Sequence, residues 1–183
     1  YEFTKNNKSK YGIQIFSYLV MYISMKFASR IHVATSEDLL NIQKKFKLKK
    51  ENIYIYPNWI DTRIFYSFTE DKPRRILFVG RLTYQKNVIL LIKALENTNY
   101  ELDIVGVGEE LENIKEESRA RNVKINFLGK IQNNKLPEIY NSHAIYVICS
   151  HFEGNPKTLL EAMACGCAVI GTNVNGISTI IKN

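Results

Sequence analysis

Two carboxylates with a helix start between them carry the chemistry of this sequence: Glu153-Gly154-Asn155-Pro156-Lys157-Thr158-Leu159-Leu160-Glu161, continuing Ala162-Met163-Ala164-Cys165-Gly166. Asn155 is a good N-cap, Pro156 suits the first helical position because it has no N–H to leave unpaired, and Gly166 suits a left-handed residue past the end. The pattern predicts a helix over 156–164. On it Leu159, Ala162 and Met163 share one face, whereas Thr158, Glu161 and Cys165 share another, so Glu161 rides a narrow polar stripe beside the core face. The free amides of Lys157 and Thr158, with the positive end of the helix dipole behind them, form a site for an anion such as a phosphate. From the residues alone, Glu153 and Glu161 could instead be the acid and nucleophile of a glycosidase, whose carboxyls lie about 5 to 5.5 Å apart in retaining enzymes.

Two cations extend this set. Arg81 directly follows an apolar strand pattern at 75–79, and Lys86 lies just beyond it. An arginine at that place is poorly explained as an ordinary surface charge, and a hydrolase reading leaves both cations and the capped helix without a role. Gly106 and Gly108 match a dinucleotide fingerprint weakly, since Leu111 stands where a third glycine is wanted, and a tight turn is the better reading. Cys165 and Cys167 resemble half a metal site, but no second cysteine pair completes one, and His32, His143 and His151 are far apart in sequence. Metal ligation is therefore not expected, and His151 reads as a loop residue.

The elements that must position these groups alternate. Strand patterns at 75–79, 101–105, 124–128, 144–149 and 167–171 are separated by helical patterns at 88–95, 109–120, 135–140 and 156–164, which predicts a parallel, doubly wound α/β sheet. Ligands of such sheets lie beyond the carboxyl ends of the strands, where Arg81 and Glu153 fall. Upstream, Ile13, Phe16, Val20, Ile23 and Phe27 recur at helical spacing within 13–28, predicting an amphipathic or buried helix. That run falls short of the roughly 18 nearly charge-free residues of a membrane span. A strand at 30–35, a helix at 37–46 capped by Ser36, and a strand at 53–56 follow. Residues 58–73 have little periodicity and are expected to separate two domains.

Composition sets the outer bounds. The 183 residues are 45% hydrophobic, enough for one full core. The charge of +7, from 25 basic and 18 acidic residues, is compatible with nucleic acid, an anionic membrane surface or a phosphorylated substrate. Lys5, Lys8, Lys10, Lys44, Lys45, Lys47, Lys49 and Lys50 are scattered through the first third with no aromatic-basic motif, so nucleic acid is not expected as a partner. The lysines before residue 13 permit contact with a membrane surface. Cys149, Cys165 and Cys167, an odd number, argue for reduced thiols and a cytosolic setting, and no signal-peptide pattern begins the chain.

The acidic segment resembles the signature of the family-four, group 1 glycosyltransferases, which have the two-domain GT-B fold and transfer sugar from a nucleotide diphosphate with retention. Ile76-Leu77-Phe78-Val79-Gly80-Arg81-Leu82 with Lys86 is similar to that family's diphosphate segment. Leu102-Asp103-Ile104-Val105-Gly106-Val107-Gly108 and Ile125-Asn126-Phe127-Leu128-Gly129 are similar to its next strands, and Ile53-Tyr54-Ile55-Tyr56-Pro57-Asn58-Trp59-Ile60-Asp61 to its interdomain linker. The resemblance implies the tail of an acceptor-binding lobe at 1–57, a linker at 58–73, and an incomplete Rossmann-like donor lobe at 74–183. It implies Glu153, Arg81 and Lys86 as catalytic groups and a donor site of Gly80, Arg81, Lys86, Lys130, Ile131, Glu153, Asn155, Lys157, Thr158 and Glu161. In it, Glu161 takes the ribose hydroxyls, Glu153 lies near the sugar, and Lys130 and Ile131 frame the base. No metal or other cofactor is implied. The implied partners are a UDP- or GDP-linked sugar and a glycan or lipid-linked acceptor, for cell-surface glycan or polysaccharide assembly at the cytoplasmic face of a membrane. A non-catalytic nucleotide-sugar-binding module that needs a partner chain is the alternative. Asn87, Trp59, Cys149 and Ala144 depart from the family's usual glycine, glycine, proline and aspartate.

Overall fold

The computed structural model describes residues 2–48 and 50–182, with the side chains of 2–11, 14 and 50 left aside. The chain divides into two compact units, Tyr1–Pro57 and Asn58–Asn183.

The first unit runs α1 (Glu2–Phe27), β1 (Ile31–Val33), α2 (Ser36–Phe46) and β2 (Ile53–Ile55). The two strands pair in parallel, Ile31 opposite Ile53 and Val33 opposite Ile55, and Ile31, Val33, Leu39 and Ile53 form a small core. The helix expected over 13–28 is present but longer, and its packed side differs from the expected one. Ile13, Phe16, Val20, Ile23 and Phe27 are 46% or more exposed. Tyr18 and Tyr22 instead lie against Phe46, with ring centroids 5.7 and 6.2 Å apart, and Met25 packs on the core. The helix carries large apolar residues on more than one side, so spacing alone does not select the buried one. The cap of α2 also sits one residue earlier than expected: Thr35 Oγ1, not Ser36, accepts from the Asp38 amide at 3.0 Å.

The second unit holds β3 (Ile76–Val79), α3 (Val88–Leu95), β4 (Leu102–Val105), α4 (Leu111–Ala120), β5 (Ile125–Gly129), α5 (Leu136–Asn141), β6 (Ile145–Ile148), α6 (Lys157–Ala164), β7 (Ala168–Gly171) and α7 (Asn175–Ser178). The five strands are all parallel in the order β5-β4-β3-β6-β7. Every residue of β3 and β4 is buried, as a strand covered on both faces requires. Ile76, Phe78, Ile104 and Val147 meet α3 and α4 on one face, while Leu77, Val79, Tyr146 and Ile148 meet α5, α6 and α7 on the other. This is the doubly wound sheet expected. Strand order reverses between β3 and β6, so the crevice for a ligand opens at their carboxyl ends.

Residues 58–73 are part of this unit. Phe65 is 5% exposed within its core, and Asn141, at the end of α5, donates to the Tyr66 carbonyl at 2.9 Å and accepts from the Phe68 amide at 3.1 Å. A buried polar knot closes the opposite end of the sheet. Asp103 Oδ1 accepts from Arg75 and Asn126, each at 2.8 Å, and its Oδ2 lies 2.9 Å from His143 Nε2. Charges removed from water need such partners.

Candidate functional site

Glu153 sits in the loop after β6 with its side chain 8% exposed, and it is held by an ion pair with Lys86 Nζ. Ser150 Oγ donates to the same carboxylate oxygen at 2.7 Å, and the Ser150 carbonyl accepts from Thr172 Oγ1 at 2.7 Å. The loop is sewn to the 3₁₀ turn Tyr84–Lys86: the His151 amide donates to the Gln85 carbonyl at 2.8 Å and Gln85 Nε2 to the Phe152 carbonyl at 2.9 Å. Cys149 Sγ reaches the Lys86 carbonyl at 3.2 Å. Asn87, in place of glycine, takes the left-handed conformation at φ 50, which asparagine tolerates better than most residues. Exposed His151, a loop residue, lies against Tyr84 with ring centroids 4.6 Å apart and the planes tilted by 30°.

The start of α6 differs from its sequence reading. Asn155 does not cap the helix: Pro156 occupies the cap position at φ −73 and ψ 114, no side chain bonds an amide there, and the helix begins at Lys157. The Asn155 carbonyl accepts from Asn58 Nδ2, while its Oδ1 is buried without a partner. Capping rules count only nearby sequence, whereas here the Asn155 carbonyl meets residue 58, far along the chain. Among the described residues, the amides of Lys157 and Thr158 therefore have no hydrogen-bond acceptor, which leaves them for a ligand. Gly166 ends the segment at φ +77, as expected.

Glu161 is 6% exposed, and Tyr140 Oη donates to its Oε2 at 3.0 Å. Burial pushes this carboxyl up from its ordinary value, opposed by the Tyr140 bond and the Lys157 charge. Tyr146 Oη lies 2.8 Å from Thr158 Oγ1, and the two tyrosine rings meet edge-on with centroids 5.9 Å apart. Tyr140, Tyr146 and Ser150, which bond Glu161, Thr158 and Glu153, are members of this candidate site that sequence reasoning missed. The available signal was a tyrosine in an otherwise apolar segment, because a buried phenol must find a partner.

Gly80, Arg81, Lys130 and Ile131 line one cleft of about 350 Å³ at the ends of β3, β4 and β5. Gly106 closes its floor at φ +146, where a Cβ would stand 1.8 Å from the Gly80 carbonyl oxygen, so the two strand ends touch through backbone. Arg81 is exposed and has no side-chain partner among the described residues. Lys130 is likewise exposed. Thus one end of the sheet gathers Arg81 and Lys130 in a cleft, Lys86 with Glu153, and Thr158 with Glu161 on α6. Among the described residues, no group of three or more His, Cys, Asp or Glu side chains is placed to hold a metal ion. Nor is any helix there long and apolar enough to cross a membrane.

Residues 61–183 match the family described as glycosyl transferases group 1. The chain is 25% identical over 168 residues to the GalNAc-alpha-(1->4)-GalNAc-alpha-(1->3)-diNAcBac-PP-undecaprenol alpha-1,4-N-acetyl-D-galactosaminyltransferase of Campylobacter jejuni, covering 88% of this chain and 46% of that protein. It is 31% identical over 166 residues to the amylovoran biosynthesis glycosyltransferase AmsD of Erwinia amylovora, covering 85% and 47%. The crystal structure of HepE from Anabaena in complex with UDP and glucose superposes with a TM-score of 0.80 at 16% identity, covering 90% of this chain and 50% of that one. The chain thus spans about half the length of the proteins it resembles.

Proposed function

The chain belongs to the group 1 glycosyl transferases, and from that premise we propose that its second unit binds a nucleoside-diphosphate sugar as the donor lobe of a retaining enzyme of glycan or polysaccharide assembly. The observation that carries the reading is the gathering of Arg81, Lys86 with Glu153, the unbonded amides of α6 and Glu161 at one end of the sheet. Arg81, Lys86 and the amides of Lys157 and Thr158 hold the diphosphate, Glu161 takes the ribose hydroxyls, and Glu153 lies beside the sugar. Gly80 lets the phosphates approach the backbone, Asn155 shapes the turn into α6, and Lys130 and Ile131 frame the base.

In the transfer, the bond from the anomeric carbon to the diphosphate oxygen breaks and its electron pair leaves with the nucleoside diphosphate. The acceptor hydroxyl oxygen bonds to the same face of that carbon, and its proton passes to the departing phosphate oxygen, which has gained the electron pair. Negative charge grows on the departing phosphate, where cations and amides stabilise it more than in the ground state. The set supplies that charge from protein groups, so no metal is required.

A glycan or lipid-linked acceptor at the cytoplasmic face of a membrane fits the same reading. The Campylobacter jejuni relative's name describes a PP-undecaprenol-linked glycan, and the exposed Ile13, Phe16 and Phe27 of α1 suit peripheral membrane contact. The half-length span also supports a module that needs further polypeptide for transfer.

Calorimetry of the chain with UDP and with GDP in EDTA tests the site. Binding of at least one is expected. Binding of neither without magnesium or manganese would overturn metal-independent recognition, and no binding under any condition would overturn the donor site.

A further inference from the structure

Tyr146 lies midway along β6, opposite Leu77 of β3, and points into the core beneath α6. It is fully buried. A phenol sealed from water has to place its hydrogen on a protein acceptor, and Thr158 Oγ1, 2.8 Å away, is the one it meets. Burial pushes the Tyr146 hydroxyl well above the ordinary tyrosine value, the Thr158 bond opposing this and the charges of Glu153 and Glu161 adding to it. It is therefore a donor throughout the neutral range.

The consequence falls on Thr158. This side chain is only partly buried, at the second position of α6, and its oxygen is occupied as an acceptor by Tyr146. Its own hydrogen has no acceptor among the described residues. The reverse arrangement, Thr158 donating to Tyr146, would strand the Tyr146 hydrogen in the core. The Thr158 hydroxyl hydrogen is thus turned outward, on the same residue whose amide is also unbonded.

We propose that Tyr146 is a positioning residue for the donor: by donating to Thr158 Oγ1 it turns the Thr158 hydroxyl into a directed hydrogen-bond donor for a phosphate oxygen, beside the amides of Lys157 and Thr158. This rests on the reading of the α6 start as the diphosphate site. The two hydroxyls act in series, and a hydrogen-bond chain that ends on an anion is strengthened by its own polarisation. Tyr140 acts on the same helix from the same core, but on Glu161 and hence on another part of the ligand.

The test is calorimetry with whichever of UDP and GDP binds the parent chain more tightly, and with the matching nucleoside by displacement. Tyr146→Phe and Thr158→Val should each weaken the diphosphate by about fivefold, the scale of one hydrogen bond, and leave the nucleoside unchanged. Thr158→Ser should bind as the parent does. The double variant should bind about as weakly as Thr158→Val alone, because the two groups form one path. Parent-like diphosphate binding by Tyr146→Phe, losses that multiply, or equal losses for nucleoside and diphosphate would overturn the proposal while leaving the site reading intact. Should Tyr146→Phe fail to fold, the Val and Ser variants at 158 decide it: equal binding by the two overturns it. A parent chain that binds neither diphosphate removes the site reading, and this inference with it.

Discussion

Lys86 and Glu153, separated by 67 residues in sequence, pair directly at the mouth of the sheet, and Ser150 donates to the same oxygen of Glu153 at 2.7 Å. The cation expected to meet a diphosphate is therefore held in place by the carboxylate expected to lie near the sugar.

Lys86→Ala should weaken nucleoside-diphosphate binding by about 1.5–3 kcal/mol, the range for hydrogen bonds to charged groups. Titration in EDTA measures this. An unchanged Kd would place the phosphates elsewhere.

Glu161 should discriminate ribose from deoxyribose. Tyr140 occupies Oε2, so Oε1 is the oxygen offered to a sugar hydroxyl. Removing one ribose hydroxyl should cost affinity in the parent and little in Glu161→Ala. Equal binding of the ribo- and deoxyribonucleotide by the parent would refute the role.

Glu161→Gln should raise the melting temperature near neutral pH. Burial raises the Glu161 carboxyl in the folded state, so the folded chain binds this proton more readily than the unfolded one. The cost of burying the charge is absent below the unfolded value of about 4.3 and is fully present above the folded value. The advantage of the variant should therefore shrink as pH falls towards about 4. A melting-temperature difference independent of pH would contradict the assignment.

Asp103→Ala should destabilise the second unit by about 3 kcal/mol, because it leaves buried His143 and the Arg75 guanidinium without their shared acceptor. Urea unfolding reads this as a lower midpoint at an unchanged slope. A shift of a few tenths of a kcal/mol would mean that water replaces the carboxylate.

The 183-residue chain should bind donor yet transfer sugar poorly by itself. Much of the rate of such a site comes from holding an acceptor hydroxyl against the anomeric carbon, and this chain spans about half the length of its relatives. Radiolabelled donor assays with and without a co-expressed N-terminal lobe measure the difference. Robust turnover by the chain alone would show that the acceptor site is already present.

The strands of the second unit were legible because each is a short apolar run between turn residues, and Ile76–Val79 and Leu102–Val105 are buried on both faces. The placement of candidate residues was legible where one residue carries its own signal, as Arg81 and Lys86 do just after a strand. It was not legible where the partner lies far along the chain. Asn155 looks like a cap until the contact with Asn58 is seen, and nothing near Tyr140 or Tyr146 announces that their hydroxyls meet α6. The packed side of α1 is hidden from its own sequence for a related reason: Phe46, which meets Tyr18 and Tyr22, belongs to another helix.

Gly176, at the start of α7, lies so close to the acidic loop that a Cβ there would stand 2.1 Å from the Gly154 carbonyl oxygen and 2.4 Å from that of Glu153. This contact sets an order of assembly. During synthesis a chain emerges from its amino end and folds as it lengthens, so β3 to β6 are available before residue 176 exists. The loop that carries Glu153 gains its last wall only when α7 docks. A ribosome-bound chain that has not yet made residue 176 lacks this wall behind Glu153 and Gly154, so the Lys86–Glu153 pair sits in an unsupported loop until then.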